Sequence, residues 1–201
     1  MAECQFYFNK EYQYGSPRTI NAWYLNGNGP MNVNDNWWFG NVCFNQGGDT
    51  THFWYRIIGA GTGQGSRNNR FQKLTFEYPQ GGMIRLESTT GDLIEDVTNE
   101  DLASLPVGNP LISVSTASGN NSGCSGIAIR GYSRRGGNNG GGGITDIQLD
   151  GNAVQFIIDT PTQYSGGSVL TIDAGGATKG TLIGSPVNYT LQNGSGVKVL
   201  S

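Results

Sequence analysis

Apolar and polar residues alternate in many short runs along the chain, and residues that favour turns separate the runs. The alternation is clear at 74–78, Leu-Thr-Phe-Glu-Tyr, and at 84–87, Ile-Arg-Leu-Glu. Because successive side chains of a β-strand point to opposite faces, this pattern predicts strands with one core face and one solvent face. Aromatic and β-branched residues predict further strands at 22–25, 37–44, 51–58, 111–115, 126–129, 144–149, 154–158, 169–172, 181–183, 187–191 and 197–200.

Two dipeptides predict tight turns between neighbouring strands. Asp150-Gly151 and Asn193-Gly194 each stand between two of the strand runs. Such pairs favour hairpins, because they reach the positive φ values that a two-residue turn requires. We therefore expect an all-β fold, mainly an antiparallel sandwich or jelly-roll-like architecture. No repeat of about 20 to 50 residues is visible, which disfavours a solenoid or a propeller.

One short helix is expected near residues 98–105. Thr98 is a residue type that caps helices, and Glu100 and Asp101 favour the positive end of a helix dipole. Pro106 would then end the helix.

The composition agrees with a β-rich chain. Of the 201 residues, 33 are glycine and 13% are charged, against about 7% glycine and about 25% charged residues in ordinary soluble domains. Good helix formers are scarce, and 21 aromatic residues are too many for a disordered chain. We expect a single β-rich unit over 1–201. Because 17 of the aromatics lie in 1–78, the alternative is an aromatic-rich part, 1–79, and a Gly/Ser/Thr/Val-rich part, 126–201, with a seam between them.

The charge balance argues against two classes of partner. The formal net charge is −3, whereas nucleic-acid-binding domains normally carry a basic excess. The sequence contains no run of about 18 consecutive apolar residues, which is the length that would predict a membrane-spanning helix. The first residues also lack the basic and apolar regions of a secretory signal peptide. We expect no nucleic-acid partner and no membrane insertion.

The residues that most catalytic and metal sites need are sparse. His52 is the single histidine, and no nucleophile motif accompanies it. The cysteines Cys4, Cys43 and Cys124 fit no zinc spacing and are expected to be free thiols. The amide-rich segment 26–36 lacks most of the acids of a calcium loop, and turns explain it more simply. We therefore expect no catalytic residue, no metal, no cofactor, and a protein that is not an enzyme.

The strongest candidate site is aromatic. The runs Trp37-Trp38-Phe39 and Phe53-Trp54-Tyr55 each place neighbouring aromatic side chains on opposite faces of a strand, so one face can fill the core while the other is exposed. The candidate contact residues are Trp37, Trp38, Trp54 and Tyr55. Exposed tryptophan or tyrosine beside Asn and Asp suits a sugar-binding surface, and the same residue types suit a subunit interface. The alternative is that all four side chains build the core of the first half.

A second candidate site is the basic segment 130–135, which contains Arg130, Arg134 and Arg135. A solvated loop is the plain interpretation, and an RNA-binding patch is the weaker one. With the glycine-rich run 136–143, this segment is also a candidate contact with another subunit or with a glycan, because segments of this kind become ordered in assemblies.

The closing run 166–201 is low in charge and rich in Gly, Ser, Thr and Val, and it resembles the β segments of virion proteins of tailed bacteriophages. The resemblance extends over roughly residues 126–201 and carries no motif, so it transfers no functional residue. It implies a structural, self-assembling virion protein that acts by protein–protein contacts, such as a capsid decoration protein, a fibre or a tail component. Such a protein is made in the host cytoplasm, located in the virion, and partnered by its own copies and other structural proteins.

Two other functions stay open. The first is a carbohydrate-binding module or lectin that uses an exposed aromatic surface, in a protein secreted with its signal peptide already removed. The second is a hydrolase, since glycoside hydrolysis needs two facing carboxylates. Four acids lie in or beside strand runs and could supply such a pair: Glu77, Glu87, Asp146 and Asp159.

Overall fold

The computed structural model describes residues 3–13, 23–27, 33–45, 53–59, 66–77, 82–100, 110–118, 123–135, 145–150, 154–159, 161–163, 170–175, 179–184 and 189–200. Within these ranges the strands are, in chain order, β1 (Gln5–Tyr7), β2 (Lys10–Gln13), β3 (Trp23–Asn26), β4 (Trp37–Phe39), β5 (Val42–Asn45), β6 (Phe53–Ile58), β7 (Arg70–Gln72), β8 (Thr75–Glu77), β9 (Gly82–Glu87), β10 (Leu93–Glu95), β11 (Thr98–Glu100), β12 (Ile112–Ser115), β13 (Ile127–Arg130), β14 (Ser133–Arg135), β15 (Ile147–Leu149), β16 (Val154–Asp159), β17 (Thr162–Gln163), β18 (Leu170–Asp173), β19 (Lys179–Ile183), β20 (Tyr189–Gln192) and β21 (Val197–Leu200).

These strands form three sheets in which every pair is parallel. The first sheet has the order β1-β4-β7-β10-β13-β16-β19-β21, the second β2-β5-β8-β11-β14-β17, and the third β3-β6-β9-β12-β15-β18-β20. The chain visits the three sheets in turn, so each of the first six coils adds one strand to every sheet and lies on the coil before it. The described part of the chain is therefore a three-sided parallel β-helix.

The interior is built from columns of side chains that repeat once per coil. The inward positions of the first sheet align in register as Phe6, Trp38, Phe71, Ile94, Ile129, Ile158, Leu182 and Val199. Those of the third sheet align as Trp23, Tyr55, Ile84, Ile112, Ile147, Ile172 and Leu191. Both columns are aromatic in the first coils and aliphatic in the later ones. Like side chains stack on successive strands, and these columns fill the interior of the β-helix.

The corner between the first and second sheets contains two residues in each of the first five coils, and the first of them has a left-handed φ. This φ lies between 50° and 67° at five successive corners: Phe8, Gly40, Lys73, Asp96 and Gly131. The connection between the second and third sheets varies instead, from four residues between β8 and β9 to eleven between β11 and β12. One corner is thus constant, whereas another side of the β-helix accepts segments of different length.

A ladder of buried polar side chains lines the corner before the first sheet. Asn36 Nδ2 donates to Asn69 Oδ1 over 2.9 Å, and the backbone N and Nδ2 of Asn69 donate to Asp92 Oδ1 over 2.7 and 3.2 Å. Burial raises the pKa of Asp92 to about 6, although hydrogen bonds from Thr89 and Asn69 oppose the shift. The next position in register is Ile127, so the ladder ends where the apolar columns continue.

The expected antiparallel sandwich or jelly-roll-like architecture is wrong, although the all-β content is right. Asp150-Gly151 does not close a hairpin, because β15 belongs to the third sheet and β16 to the first, and Asn193 separates β20 from β21 in the same way. Asn193 does have a left-handed φ of 51°. The turn chemistry is therefore present, but it turns the chain from one sheet to the next, which a parallel coil also requires.

The expected helix near 98–105 is also wrong where the structure describes it. Residues 98–100 form β11, which pairs in parallel with β8 and β14, and residues 101–105 lie outside the described residues. Pairing on both edges satisfies the backbone groups that a helix would satisfy internally. The hydroxyl oxygens of Thr98 and Ser133 lie 3.0 Å apart across adjacent strands, so Thr98 contributes to a side-chain ladder.

The expectation that the chain is not a solenoid is also wrong, because the described strands stack coil upon coil. Trp37, Arg70, Leu93 and Ala128 succeed one another in register, at separations of 33, 23 and 35 residues. Because the connections vary, the coils have no constant length, and a search for a fixed period does not detect them.

Candidate functional site

Aromatic side chains cluster on the outer face of the first two coils. Tyr7 of β1 and Trp37 and Phe39 of β4 occupy the positions that alternate with the inward column. Phe8 lies at the adjoining corner. Tyr7 is 41% exposed and Phe8 73% exposed, whereas Trp37 and Phe39 are half-buried. We call Tyr7, Phe8, Trp37 and Phe39 the aromatic surface.

The four rings of the aromatic surface contact one another edge to face. The ring centroids of Tyr7 and Trp37 are 5.4 Å apart, those of Trp37 and Phe39 5.6 Å, and those of Phe8 and Phe39 5.5 Å. Nζ of Lys73 lies 5.4 Å from the centroid of the Phe39 ring. These distances are typical of favourable aromatic and cation–π contacts, so the rings fix one another in place while part of the cluster faces solvent.

Polar side chains border one edge of the aromatic surface and form a shallow cavity with Trp37. The cavity has a volume of about 210 Å³ and is lined by Gln5, Asp35, Trp37, Asn68 and Arg70. Asn68 Nδ2 donates to Asp35 Oδ1 over 3.1 Å, and the Tyr7 hydroxyl donates to Gln5 Oε1 over 2.6 Å. The cavity therefore combines an indole, a carboxylate, two amides and a guanidinium group.

The corner fold brings the polar members of this cavity together. Asp35 and Asn68 occupy equivalent left-handed positions in consecutive coils, each with a φ of 55°. Asn and Asp tolerate this conformation better than other residues with a Cβ. Two residues later, Trp37 and Arg70 pair in register on β4 and β7. Residues that are 33 positions apart in the sequence thus become neighbours on adjacent strands.

A larger cavity opens on the same sheet in the later coils, but its chemistry differs. Its volume is about 640 Å³, and glycines and apolar side chains such as Ala128 and Ile157 line it. Thr181 is the one polar side chain among the described residues that line it. The second cavity offers few hydrogen-bonding groups, whereas the cavity beside Trp37 combines them with an aromatic ring.

The structure places the four aromatic candidates from the sequence in two environments. Trp38, Trp54 and Tyr55 are buried in the interior. Trp38 is stacked on Phe71 with ring centroids 4.8 Å apart and an interplanar angle of 2°. Trp37 alone among these four is at the outer surface. The aromatic hypothesis therefore depends on Trp37, together with outer residues that the sequence did not single out.

The three arginine candidates also separate. Arg130 is exposed on β13, and Arg135 is exposed on β14, where Nη1 lies 3.4 Å from Glu100 Oε1. Arg134 points into the β-helix and forms a buried ion pair with Asp146, with Nη1 3.1 Å from Oδ2. The segment 130–135 is thus a strand pair around a corner, with one of its three arginines inside.

The buried carboxylate beside Arg134 is well supported by donors. Asp146 accepts hydrogen bonds from the Tyr132 hydroxyl over 3.0 Å and from the Thr171 backbone over 2.8 Å. Burial raises the pKa of Asp146, although the Arg134 charge opposes the shift. Burial and the neighbouring Asp146 charge also raise the pKa of Tyr132. This group is closed to solvent and stabilises the interior, because removal of one partner would leave a buried charge unpaired.

Sequence reasoning missed Tyr7 and Phe8, and it included Phe39 only as part of the run that contains Trp37 and Trp38. The run Phe6-Tyr7-Phe8 carried a signal, because Phe6 points inward like Trp38 and Tyr7 points outward like Phe39. The two segments are 32 residues apart, so their side chains can be recognised as one cluster only when the strand register is known.

The remaining candidate residues from the sequence form no recognisable catalytic or metal site in the described part of the chain. Glu87 is held by Arg56 and Arg85. Cys4, Cys43 and Cys124 form no disulfide bond, and His52 lies outside the described residues. The part of the chain that the structure describes contains no group of three His, Cys, Asp or Glu side chains that could hold a metal ion. It also contains no helix with the length and apolar character to cross a membrane.

Comparison with known proteins finds no family model and no curated protein that matches the chain. Two trypsin-treated structures of QnrB1, a plasmid-mediated fluoroquinolone resistance protein, align with TM-scores of 0.15 and 0.14. Their sequence identities are 7% and 9%, and each alignment covers 98% of this chain and 90% of the QnrB1 chain. A likeness this weak carries no argument about family or function.

Proposed function

We propose that the protein binds carbohydrate through the aromatic surface and the polar cavity beside Trp37. The observation that carries the proposal is a contiguous cluster of outward-facing rings bordered by an amide and carboxylate cavity. Outward positions of a strand next to solvent are usually polar. A contiguous exposed apolar patch rimmed by polar residues is typical of an interaction site.

The residue types at this site match the two kinds of surface that a sugar presents. The C–H face of a pyranose ring is apolar and suits the flat indole of Trp37 or the ring of Tyr7. The hydroxyl groups at the edge of the sugar both donate and accept hydrogen bonds. Asp35 accepts, Arg70 donates, and the amides of Gln5 and Asn68 do both.

Trp37 also has an unused donor. Its Nε1 is buried and has no acceptor among the described residues. A buried donor without a partner costs about 1–3 kcal/mol, and a ligand hydroxyl or a bound water that reaches it would recover part of that cost.

The experiment is a screen of neutral glycans followed by titration calorimetry with the best ligand. Trp37→Ala and Tyr7→Ala are each expected to weaken binding at least tenfold, which corresponds to about 1.4 kcal/mol. Ile157→Ala is the matched control, because Ile157 is an exposed apolar residue, 41% accessible, on the same sheet in the later coils. Absence of any glycan ligand, or equal losses in all three variants, would refute the proposal.

A second candidate function is structural, as a component of a larger assembly. The inward position of β21 is Val199, which is 44% exposed because no described strand lies beyond β21 in the first sheet. Leu200 is 41% exposed on the same strand. An uncovered strand edge with apolar side chains is a pairing site. We propose that a further layer of β-structure from a second copy or a neighbouring structural protein covers this edge.

The assembly hypothesis is tested by sedimentation. Val199→Lys should lower the mass of any oligomer, because a charge would then stand in the proposed contact. Thr90→Lys is the control, since Thr90 is exposed at the corner before β10, inside the stack of coils, and this variant adds the same charge. A wild-type monomer at micromolar concentration, with native particles that lack the protein, would remove this candidate.

A further inference from the structure

Two arginines lie side by side on the outer face of the third sheet, around one buried carboxylate. Arg56 of β6 and Arg85 of β9 pair in register. Glu87 Oε2 accepts from Arg56 Nε over 2.6 Å, and Glu87 Oε1 lies 3.1 Å from Arg85 Nη2. The Glu87 side chain is 4% exposed, whereas those of Arg56 and Arg85 are 32% and 34% exposed. The carboxylate is thus covered, and the two guanidinium groups reach the surface.

Each guanidinium group also lies over an aromatic ring. The Cζ atom of Arg56 is 5.5 Å from the centroid of the Tyr24 ring, and that of Arg85 is 5.5 Å from the centroid of the Phe53 ring. A planar guanidinium stacked on a ring and bound to a carboxylate loses much of its rotamer freedom. The two cations are therefore held in place before a ligand arrives, which lowers the entropy cost of binding.

The charges of this cluster do not cancel. Two guanidinium groups face one carboxylate, and Arg85 Nε has no acceptor among the described residues. In the next strand, Ser113 lies beside Arg85 and Ser115 beside Glu87. Gln148 follows Ser113 in register on β15. Ser113 and Ser115 are buried, and Asp173 follows Gln148 in register. The excess positive charge is therefore confined to the arginine pair around Glu87.

From this geometry we infer that the outer face of the third sheet binds an acidic polysaccharide, with an oxyanion of the polymer on Arg56 and Arg85. Arginine binds carboxylate and sulfate groups through paired N–H donors. The exposed ring of Tyr24 lies beside Arg56 in register, whereas the row on the other side of Arg85 offers a buried Ser113 and, beyond Gln148, the carboxylate of Asp173. An aromatic ring beside two cations suits a sugar that carries an oxyanion better than it suits a single ion. The inference goes beyond the aromatic surface, which lies on another sheet, and does not depend on it.

Calorimetric titration with an oligogalacturonate, a sulfated oligosaccharide, a neutral dextran and inorganic sulfate tests the inference. At least one acidic oligosaccharide should bind and the dextran should not, and binding should weaken as salt is added. Arg56→Gln and Arg85→Gln should each weaken binding about tenfold, because one charge-assisted contact is lost while Glu87 keeps an arginine partner. Arg135→Gln is the matched control, since Arg135 also has a carboxylate partner but lies on the second sheet.

A third variant distinguishes binding from a purely structural role. Glu87→Gln removes the carboxylate that competes with the ligand, so affinity should rise by several fold if the variant keeps its circular dichroism spectrum. A structural ion-pair network would gain nothing from this change. If Glu87→Gln does not fold, the two single arginine variants decide the matter.

Other results would overturn the inference. Unchanged affinity in both arginine variants, an equal loss in Arg135→Gln, or sulfate binding as tight as that of the oligosaccharides would each contradict it. Loss of acidic-glycan binding in Trp37→Ala with normal binding in the arginine variants would locate the ligand on the first sheet. That result would reject the third-sheet site and leave the proposed function standing.

Discussion

The first four coils and the later coils share one backbone plan but fill it differently. In the first coils the inward column of the first sheet carries Phe6, Trp38 and Phe71, and the adjoining corner carries the polar ladder from Asn36 to Asp92. In the later coils the inward column carries Ile129, Ile158 and Leu182, and the corner position carries Ile127 and then Phe156. Stacking in a parallel β-helix therefore does not require one residue type, provided that neighbouring coils carry compatible ones.

The outer face of the first sheet shows the same division. Tyr7, Trp37 and Phe39 lie outward on the first coils, whereas Ala128 and Ile157 occupy the row of Trp37 in the later coils. Interior aromatic residues are explained by packing, because Trp38 and Tyr55 are fully buried. The outer aromatic residues have no such explanation. This contrast is what directs the functional proposal to Trp37 and not to its neighbour Trp38.

The largest expected effect separates these two neighbouring tryptophans. Trp38→Ala should lower the free energy of unfolding by about 3–5 kcal/mol, because it leaves a cavity in the aromatic column. Trp37→Ala should lower it by about 1 kcal/mol or less, as is usual for partly exposed positions. Guanidinium chloride denaturation followed by far-ultraviolet circular dichroism measures both. Similar losses in the two variants would show that Trp37 belongs to the core.

The next effect concerns the polar ladder of the first coils and pH. The pKa of Asp92 is raised from 3.8 to about 6 in the folded state, so folding favours the protonated acid. Its stabilising effect is complete below about pH 4 and is lost as the pH rises through 6. Asp92→Asn should therefore raise stability near pH 8 by up to about 3 kcal/mol and flatten the profile between pH 4 and pH 6.

Thermal unfolding across that pH range provides the measurement. Asp96→Asn serves as the control, because Asp96 is exposed at the adjoining corner. A steep profile that persists in Asp92→Asn would assign the pH dependence to another buried acid, of which Asp146 is the first to examine.

The smallest effect concerns the later coils. A Cβ at Gly180 would lie 2.5 Å from the ring of Phe156, because this aromatic side chain occupies the space above a glycine in the next strand. Gly180→Ala should cost about 1–3 kcal/mol through overpacking. The double variant with Phe156→Leu should recover part of the loss, since the two sites are coupled. Equal effects of the single and double variants would contradict the contact.

The sequence predicts where strands lie better than it predicts what they pair with. The run 126–129 overlaps β13, and 154–158 overlaps β16, because alternation and β-branched residues are local properties. Parallel and antiparallel strands share these properties. The residues that distinguish the two arrangements are 17 to 35 positions apart in register, and no local pattern connects them.

The candidate site was accessible to sequence reasoning only in part. Trp37 could be singled out, because two adjacent tryptophans in one strand must point to opposite faces. Nothing local shows which of the two is outside. The rest of the site, including Asp35, Asn68 and Arg70, is assembled by the stacking of coils and the left-handed corners. For Arg134 the sequence prediction was wrong: it was a candidate surface contact, but its side chain is buried in an ion pair with Asp146.

The unequal connections between the second and third sheets have a consequence for the evolution and engineering of this protein. Lengths of four and eleven residues join strands that stack in the same register, so the coil geometry does not depend on what is inserted there. Closing a longer loop costs little more entropy than closing a shorter one. Foreign peptides spliced at this side, for example between β8 and β9, should be displayed in parallel at intervals of one coil. The protein would then present epitopes or enzymes at a fixed spacing, the distance between coils, which does not change when the loops are mutated.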